Sequence, residues 1–170
     1  MFLHDDEIER LITCPKQIRK KPRRNMAREG LHLRNDFDCE EVGGPGLFHV
    51  FMRQHAEFPE NFSIGLNYSP ERGGDSQCLF RCNGPHGEQL TFPNTPAHHF
   101  THHIHRASEE AFAAGLRAES RAKVTEEYAT FEEAFVYFVN TCSILYVDKY
   151  FPFLKAERER QLRLFEEEDE

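Results

Sequence analysis

The first segment of the chain has apolar residues at helical spacing. Within residues 5–13, Ile8, Leu11 and Ile12 recur every three to four positions after an acidic start, which predicts a short helix. A proline then ends the pattern. Residues 16–28 hold few apolar side chains, so we interpret them as a loop or an extended basic arm.

From residue 31 onward the apolar period changes to two, as expected for β-strands whose side chains alternate between faces. Turn sequences rich in Gly, Pro and Asn separate the alternating segments. The predicted strands are 31–37, 47–54, 62–68, 77–82 and 88–92. Because the connections are short, we expect an antiparallel meander of about four to six strands.

Two further helices are expected after the strands. Ser108 is a typical N-cap residue followed by two glutamates, and a helix from there should reach about Gly115. Thr130 begins a capping-box sequence, and the apolar residues behind it predict a helix that lies across the sheet. The sequence therefore predicts the α+β class, with one or two helices packed against an antiparallel sheet.

The C-terminal segment is more charged than the rest of the chain. Pro152 separates it from the preceding helix, and residues 166–170 are all acidic. We expect a single α+β domain over residues 1–150 and an appended charged helix with an acidic tail over 151–170. The few apolar residues within 153–165 indicate a surface for a protein partner.

The net charge of −8 argues against nucleic-acid affinity over the whole surface. Charge is nevertheless segregated, because the basic arm concentrates cations in a chain that is acidic elsewhere. These cations are Lys16, Arg19, Lys20, Lys21, Arg23 and Arg24. We expect them to attract RNA, without stacking on its bases, since no aromatic residue lies between them.

Five cysteines and the lack of an N-terminal apolar signal favour the reducing cytoplasm over a secreted disulfide framework. No run of about 18 apolar residues occurs, so we expect no membrane-spanning helix. Cys78 and Cys82 lie near His86, but their spacing is not that of a zinc knuckle, and buried thiols are the simpler interpretation. The sequence assigns no metal ligands, no cofactor and no oligomeric state.

The histidine-rich run at residues 98–106 is the most concentrated chemical feature of the sequence. If the run is extended, Phe100 and Ile104 face the core. His103 and His105 then project together to the opposite face. We predict that this pair lies on an outward surface of the sheet.

An outward pair of histidines suits more than one kind of site. His103 and His105 could act as an acid–base pair in phosphodiester cleavage, with Arg106 nearby and His86 as a third imidazole from a predicted turn. They could equally supply two nitrogen ligands to a metal ion, or form local hydrogen bonds on a polar strand. The candidate phosphate contacts elsewhere in the chain are Arg53 and Arg81.

Several segments of the chain are similar to a bacterial family known as a domain of unknown function. They are 15–23, 34–37, 58–66, 79–88 and the motif His103-Ile104-His105-Arg106. This resemblance covers about residues 5–145 and implies no established activity. The His-x-His motif, followed by an aromatic helix segment at 128–134, also resembles TumE-type toxins of toxin–antitoxin modules. That resemblance implies a functional role for His103 and His105.

Our leading hypothesis from the sequence is a small RNA-interacting protein that processes or cleaves RNA, in its sharpest form a metal-independent, toxin-like ribonuclease that uses the His-x-His pair. One alternative is a non-enzymatic module of a mobile-element or defence system that binds a protein or a nucleic acid. Another is a zinc-binding domain. The residues alone leave these three hypotheses open, including whether the protein is an enzyme.

Overall fold

The computed structural model describes residues 2–70, 75–86, 97–156 and 159. Its helices and strands are α1 Asp5–Thr13, β1 Lys16–Lys20, β2 Ala27–Glu29, β3 His32–Glu41, β4 Leu47–His55, β5 Phe62–Ser69, β6 Gln77–Asn83, β7 His103–Arg106, α2 Glu109–Ala113, β8 Ala122–Val124 and α3 Phe131–Thr141. Short 3-10 turns lie at Ala97–Phe100 and Val147–Lys149. The predicted α+β class with an antiparallel sheet is confirmed.

Eight strands in the described parts form one sheet in the order β1-β3-β4-β5-β6-β7-β8, with β2 beside β1 on the same edge of β3. The number exceeds the predicted four to six. β1, β2, β7 and β8 have only three to five residues each, which is too short to display a clear period. The predicted strand 88–92 lies outside the described residues.

The helices predicted at 5–13, after Ser108 and after Thr130 are confirmed, because their signals are local. α1 buries the apolar side that the spacing indicated. At α2, the hydroxyl of Ser108 accepts a hydrogen bond from the backbone N–H of Ala111, and at α3 the hydroxyl of Thr130 accepts one from that of Glu133. No helix in the described ranges is long and apolar enough to cross a membrane.

The structure corrects the interpretation of residues 16–28 as a loop or arm. β1 and β2 both pair with β3, and Ile18 packs against the core. Lys16, predicted to contact RNA, is instead fully buried. Its ammonium group donates hydrogen bonds of 2.8–3.0 Å to the carbonyl oxygens of Ile12, Cys14 and Cys142, at the ends of α1 and α3. It stabilises two helix C-termini and is inaccessible to a nucleic acid.

The domain boundary at residue 150 stays a prediction, although residues beyond it contribute to the main core. Phe151 and Leu154 are buried in the main core, and the Phe151 ring lies 4.9 Å from that of Phe135 in α3. Leu154 is therefore not available to the partner predicted to bind 153–165. Residues 157, 158 and 160–170, which include most of that surface and the acidic tail, lie outside the described residues.

The strand register divides the side chains of the sheet between two faces. One face includes Phe37, Val50, Leu66 and Phe80, and α1 and α3 cover it. The other face has one cross-strand row of Arg53, Ser63, Asn83 and His103, and a second row of Phe51, Gly65, Arg81 and His105. We call this face, which lies opposite the helices, the polar face. It holds the candidate site.

Candidate metal centre

Five histidines converge at the β7 end of the polar face. They are His86, His98, His99, His103 and His105, and neighbouring ring centroids lie 4.4–6.0 Å apart. β7 carries His103 and His105, the turn Ala97–Phe100 carries the next two, and His86 follows β6. A backbone hydrogen bond of 2.8 Å from His86 N–H to the carbonyl of His99 joins the last two segments.

The tautomers of the two strand histidines are fixed by backbone carbonyls. Nδ1 of His103 lies 2.8 Å from the carbonyl oxygen of Thr101, and Nδ1 of His105 lies 2.8 Å from that of Glu119. A carbonyl oxygen only accepts hydrogen bonds, so Nδ1 must carry the proton in each neutral ring. Each Nε2 therefore presents a lone pair to the cluster. Metal-binding histidines are held in this way.

Both strand histidines are buried, at 0% and 7% relative exposure for His103 and His105. They lie on the face opposite Ile104, as predicted, but they are not outward residues, because the turn Ala97–Phe100 and the chain around Glu119 cover them. Phe100 lies in that exposed turn rather than in a strand, so it does not face the core. Burial lowers the pKa of each strand histidine to about 4, and both are neutral at pH 7.

Three of the histidines are arranged as potential ligands of one ion. One nitrogen from each of His98, His103 and His105 lies within 4.8 Å of the others. Tetrahedral zinc with bonds of 2.0–2.1 Å would bring these nitrogens to about 3.4 Å from each other. His98 sits in the short turn Ala97–Phe100, and an ion bound at this site would draw its nitrogen closer to the other two. Burial, and the neighbouring His99, lower the pKa of His98 as well.

Two further side chains contact the lone pair of His103 Nε2. The Nδ2 group of Asn83 lies 3.1 Å away and its Oδ1 accepts a hydrogen bond from Ser63, so the amide donates to the ring. His86 Nε2 lies 3.3 Å from the same nitrogen, which is close to a ligand-to-ligand distance. An ion at His103 would replace the amide contact, and His86 would lie beside the fourth position.

Comparison of the chain with protein-family models, curated proteins and solved structures gave no match. The resemblance to the domain of unknown function and to TumE-type toxins therefore stays a prediction.

The structure separates the predicted catalytic residues. His86 joins His103 and His105, as the sequence suggested. Arg106 does not, because it lies on the helix-covered side of the sheet, exposed and ion-paired with Glu9. Arg106 is therefore excluded as a phosphate contact for the histidine pair.

Arg53 and Arg81 both lie on the polar face, although their surroundings differ. Arg53 is ion-paired with Asp36 and sits two strands from Arg81, about 10 Å away across the sheet. Arg81 is the direct cross-strand neighbour of His105. Only Arg81 of the two is next to the histidines.

The remaining cations of the predicted arm are distant from the histidines. Arg19 lies 4.0 Å from Glu40, and the other four, Lys20, Lys21, Arg23 and Arg24, are exposed. β1 is separated from β7 by five strand spacings, about 24 Å. These side chains remain predicted RNA contacts, but they do not form one groove with the histidine cluster.

Sequence reasoning missed His98 and His99 as site residues, because it treated the whole run as a strand. The proline-rich lead-in at 93–97 favoured a turn at this point and was the available signal. Cys82 is buried in the core on the side away from the histidines, and burial raises its pKa. It does not reach the cluster.

Proposed function

We propose that this protein binds a transition-metal ion of the Zn²⁺ class through His98, His103 and His105, and that it is a metal-dependent hydrolase. The observation that carries the proposal is the pair of fixed tautomers, which aim the Nε2 lone pairs of His103 and His105 into one space beside His98. Three imidazole ligands leave a position open for water, as in catalytic zinc sites.

Metal binding fits these histidines better than the acid–base pair expected from the sequence. A general acid must be protonated near the working pH, and burial keeps both His103 and His105 neutral there. A metal ligand must be neutral, which is the form that burial favours. A ribonuclease without metal would also lack Arg106, which lies on the other side of the sheet.

The chemistry of the centre follows from its ligands. Neutral imidazoles suit Zn²⁺ and its neighbours in the transition series, and they leave the full double charge of the ion uncompensated. That charge lowers the pKa of a bound water to about 7 and so supplies a hydroxide nucleophile at neutral pH. His86, beside the fourth position, is placed to exchange a proton with that water.

We further propose a cytoplasmic location. All five cysteines are free thiols. Burial raises the pKa of Cys39, Cys78 and Cys142 to about 12, so these thiols are unreactive and need no disulfide partner. Such thiols are typical of proteins in a reducing compartment.

The direct test is zinc stoichiometry. The purified chain is stripped with a chelator, dialysed against micromolar zinc sulfate and measured by elemental analysis. We expect one zinc per wild-type chain and a loss of at least about tenfold in zinc affinity for His103→Gln and His105→Gln.

The matched control is His49→Gln. His49 lies on the same polar face but on β4, three strands from β7, where it is paired with Asp38. This variant should keep one zinc per chain. Circular dichroism of the chelator-treated proteins establishes that each variant is folded. A folded wild-type chain without zinc, or folded His103 and His105 variants that bind zinc as tightly as the control, would reject the proposal.

A further inference from the structure

Arg81 is a cation beside the candidate metal centre, and no carboxylate of the described residues forms an ion pair with it. It lies on β6, directly opposite His105 and on the same face. Its Nε atom is buried and has no hydrogen-bond partner, and no ion pair involves this guanidinium among the described residues. Arg53 and Arg106, by contrast, each have a carboxylate partner.

A cross-strand row of residues flanks Arg81 on both sides. On the far side from His105, the row continues with Gly65 and Phe51. The Phe51 ring lies over Gly65 so closely that an added Cβ would stand 2.2 Å from the ring. Arg81 thus lies between Gly65, which the Phe51 ring covers, and His105 of the histidine cluster. A buried N–H in such a place is unfavourable without an acceptor, and none of the described residues supplies one.

The kind of ligand that could accept hydrogen bonds from Arg81 follows from the two groups it would contact, the guanidinium and the proposed metal ion. A guanidinium binds two oxygens at once through its parallel N–H groups, and a divalent ion binds a third. A phosphate monoester has three non-bridging oxygens, one for the ion and two for the guanidinium, whereas a carboxylate would have to share one oxygen between them.

We propose that Arg81 and the metal ion together bind the phosphoryl group of a phosphate ester, which is the substrate class of this site. The inference rests on the proposed metal centre. In the reaction, the oxygen of the metal-bound water forms a new P–O bond and the ester P–O bond breaks. The leaving oxygen keeps the bonding electron pair and takes the proton from the water. Arg81 holds the charge on the phosphoryl oxygens.

The test measures metal and anion binding separately. Protein loaded with Co²⁺ in place of zinc is titrated with inorganic phosphate, and the visible absorption of the cobalt reports on both. Wild type should bind one cobalt and show a saturable change with phosphate. Arg81→Gln should keep the cobalt stoichiometry but bind phosphate about tenfold more weakly or worse. Arg81→Lys keeps the charge without the two parallel N–H donors, and it should weaken phosphate binding less than Arg81→Gln does.

Arg106→Gln is the control, since it removes the same residue type from the other face of the sheet, and its phosphate affinity should equal that of wild type. Equal phosphate affinity in Arg81→Gln and wild type, with cobalt bound to both, overturns this inference alone. Acetate binding as tight as that of phosphate also overturns it. A wild-type chain that binds no cobalt rejects the proposed function and this inference with it.

Discussion

The ring orientation and the neutral state of His103 and His105 depend on the residues that contact and cover them. Nδ1 of His103 is bonded to the carbonyl of Thr101 just before the strand, Nδ1 of His105 is bonded to that of Glu119, and both residues are buried. The same arrangement fixes the orientation of the rings, removes their charge at neutral pH and leaves the Nε2 lone pairs facing the cluster, where an ion would replace the Asn83 contact on His103.

Burial of these rings predicts a pH dependence of stability in the metal-free protein. In the unfolded chain the two histidines titrate near 6.5, whereas in the folded chain burial lowers the pKa of each to about 4. Between these values the unfolded state binds more protons. The free energy of unfolding should therefore fall as pH drops from about 6.5 to about 4.

Denaturant unfolding in the presence of a chelator measures this effect. Carboxylates titrate in the same range, so the comparison is between wild type and the double variant His103→Gln/His105→Gln. We expect the wild type to lose more stability than the double variant over this pH interval. Parallel pH profiles for the two proteins would contradict the burial of these rings in their neutral form.

At the scale of elements, β1 connects the two main helices through Lys16. Its ammonium group donates to carbonyls at the C-terminal ends of α1 and α3, and burial lowers its pKa. The same strand forms a parallel bridge from Lys16 to Ile144. The segment predicted to be an arm is thus part of the framework.

Removal of this amine should destabilise the fold. Lys16→Met keeps most of the side-chain volume but leaves three buried carbonyls without their donor, and we expect a loss of about 3 kcal/mol in the free energy of unfolding. Urea denaturation gives the value. The exposed Lys20→Met serves as the control and should change stability by less than about 0.5 kcal/mol. A loss equally small for Lys16→Met would show that the ammonium is not needed there.

The elements also show which features the sequence determines locally. The caps at Ser108 and Thr130 and the apolar side of α1 were predictable, because each depends on residues within one or two turns. The burial of Lys16 was not, since one of its partners, Cys142, is 126 positions away. The burial of His103 and His105 likewise depends on a turn and on the chain around Glu119. The alternation of side chains along a strand does not predict these contacts.

At the scale of the whole molecule, the side chains on the two faces of the sheet have different roles. The helix-covered face supplies the hydrophobic core, and the polar face carries the histidine cluster with Arg81 beside it. The cations at the β1 edge lie about 24 Å from that cluster, so any contact they make with RNA is independent of the proposed metal centre.

The central claim is that one ion binds between His98, His103 and His105. The most direct test is an anomalous difference map, measured at the zinc absorption edge, from crystals of the wild-type protein grown with zinc. The account predicts one strong peak at about 2.0–2.1 Å from Nε2 of both His103 and His105, with His98 completing the site. A map without a peak among these three histidines, in crystals where they are ordered, would contradict it.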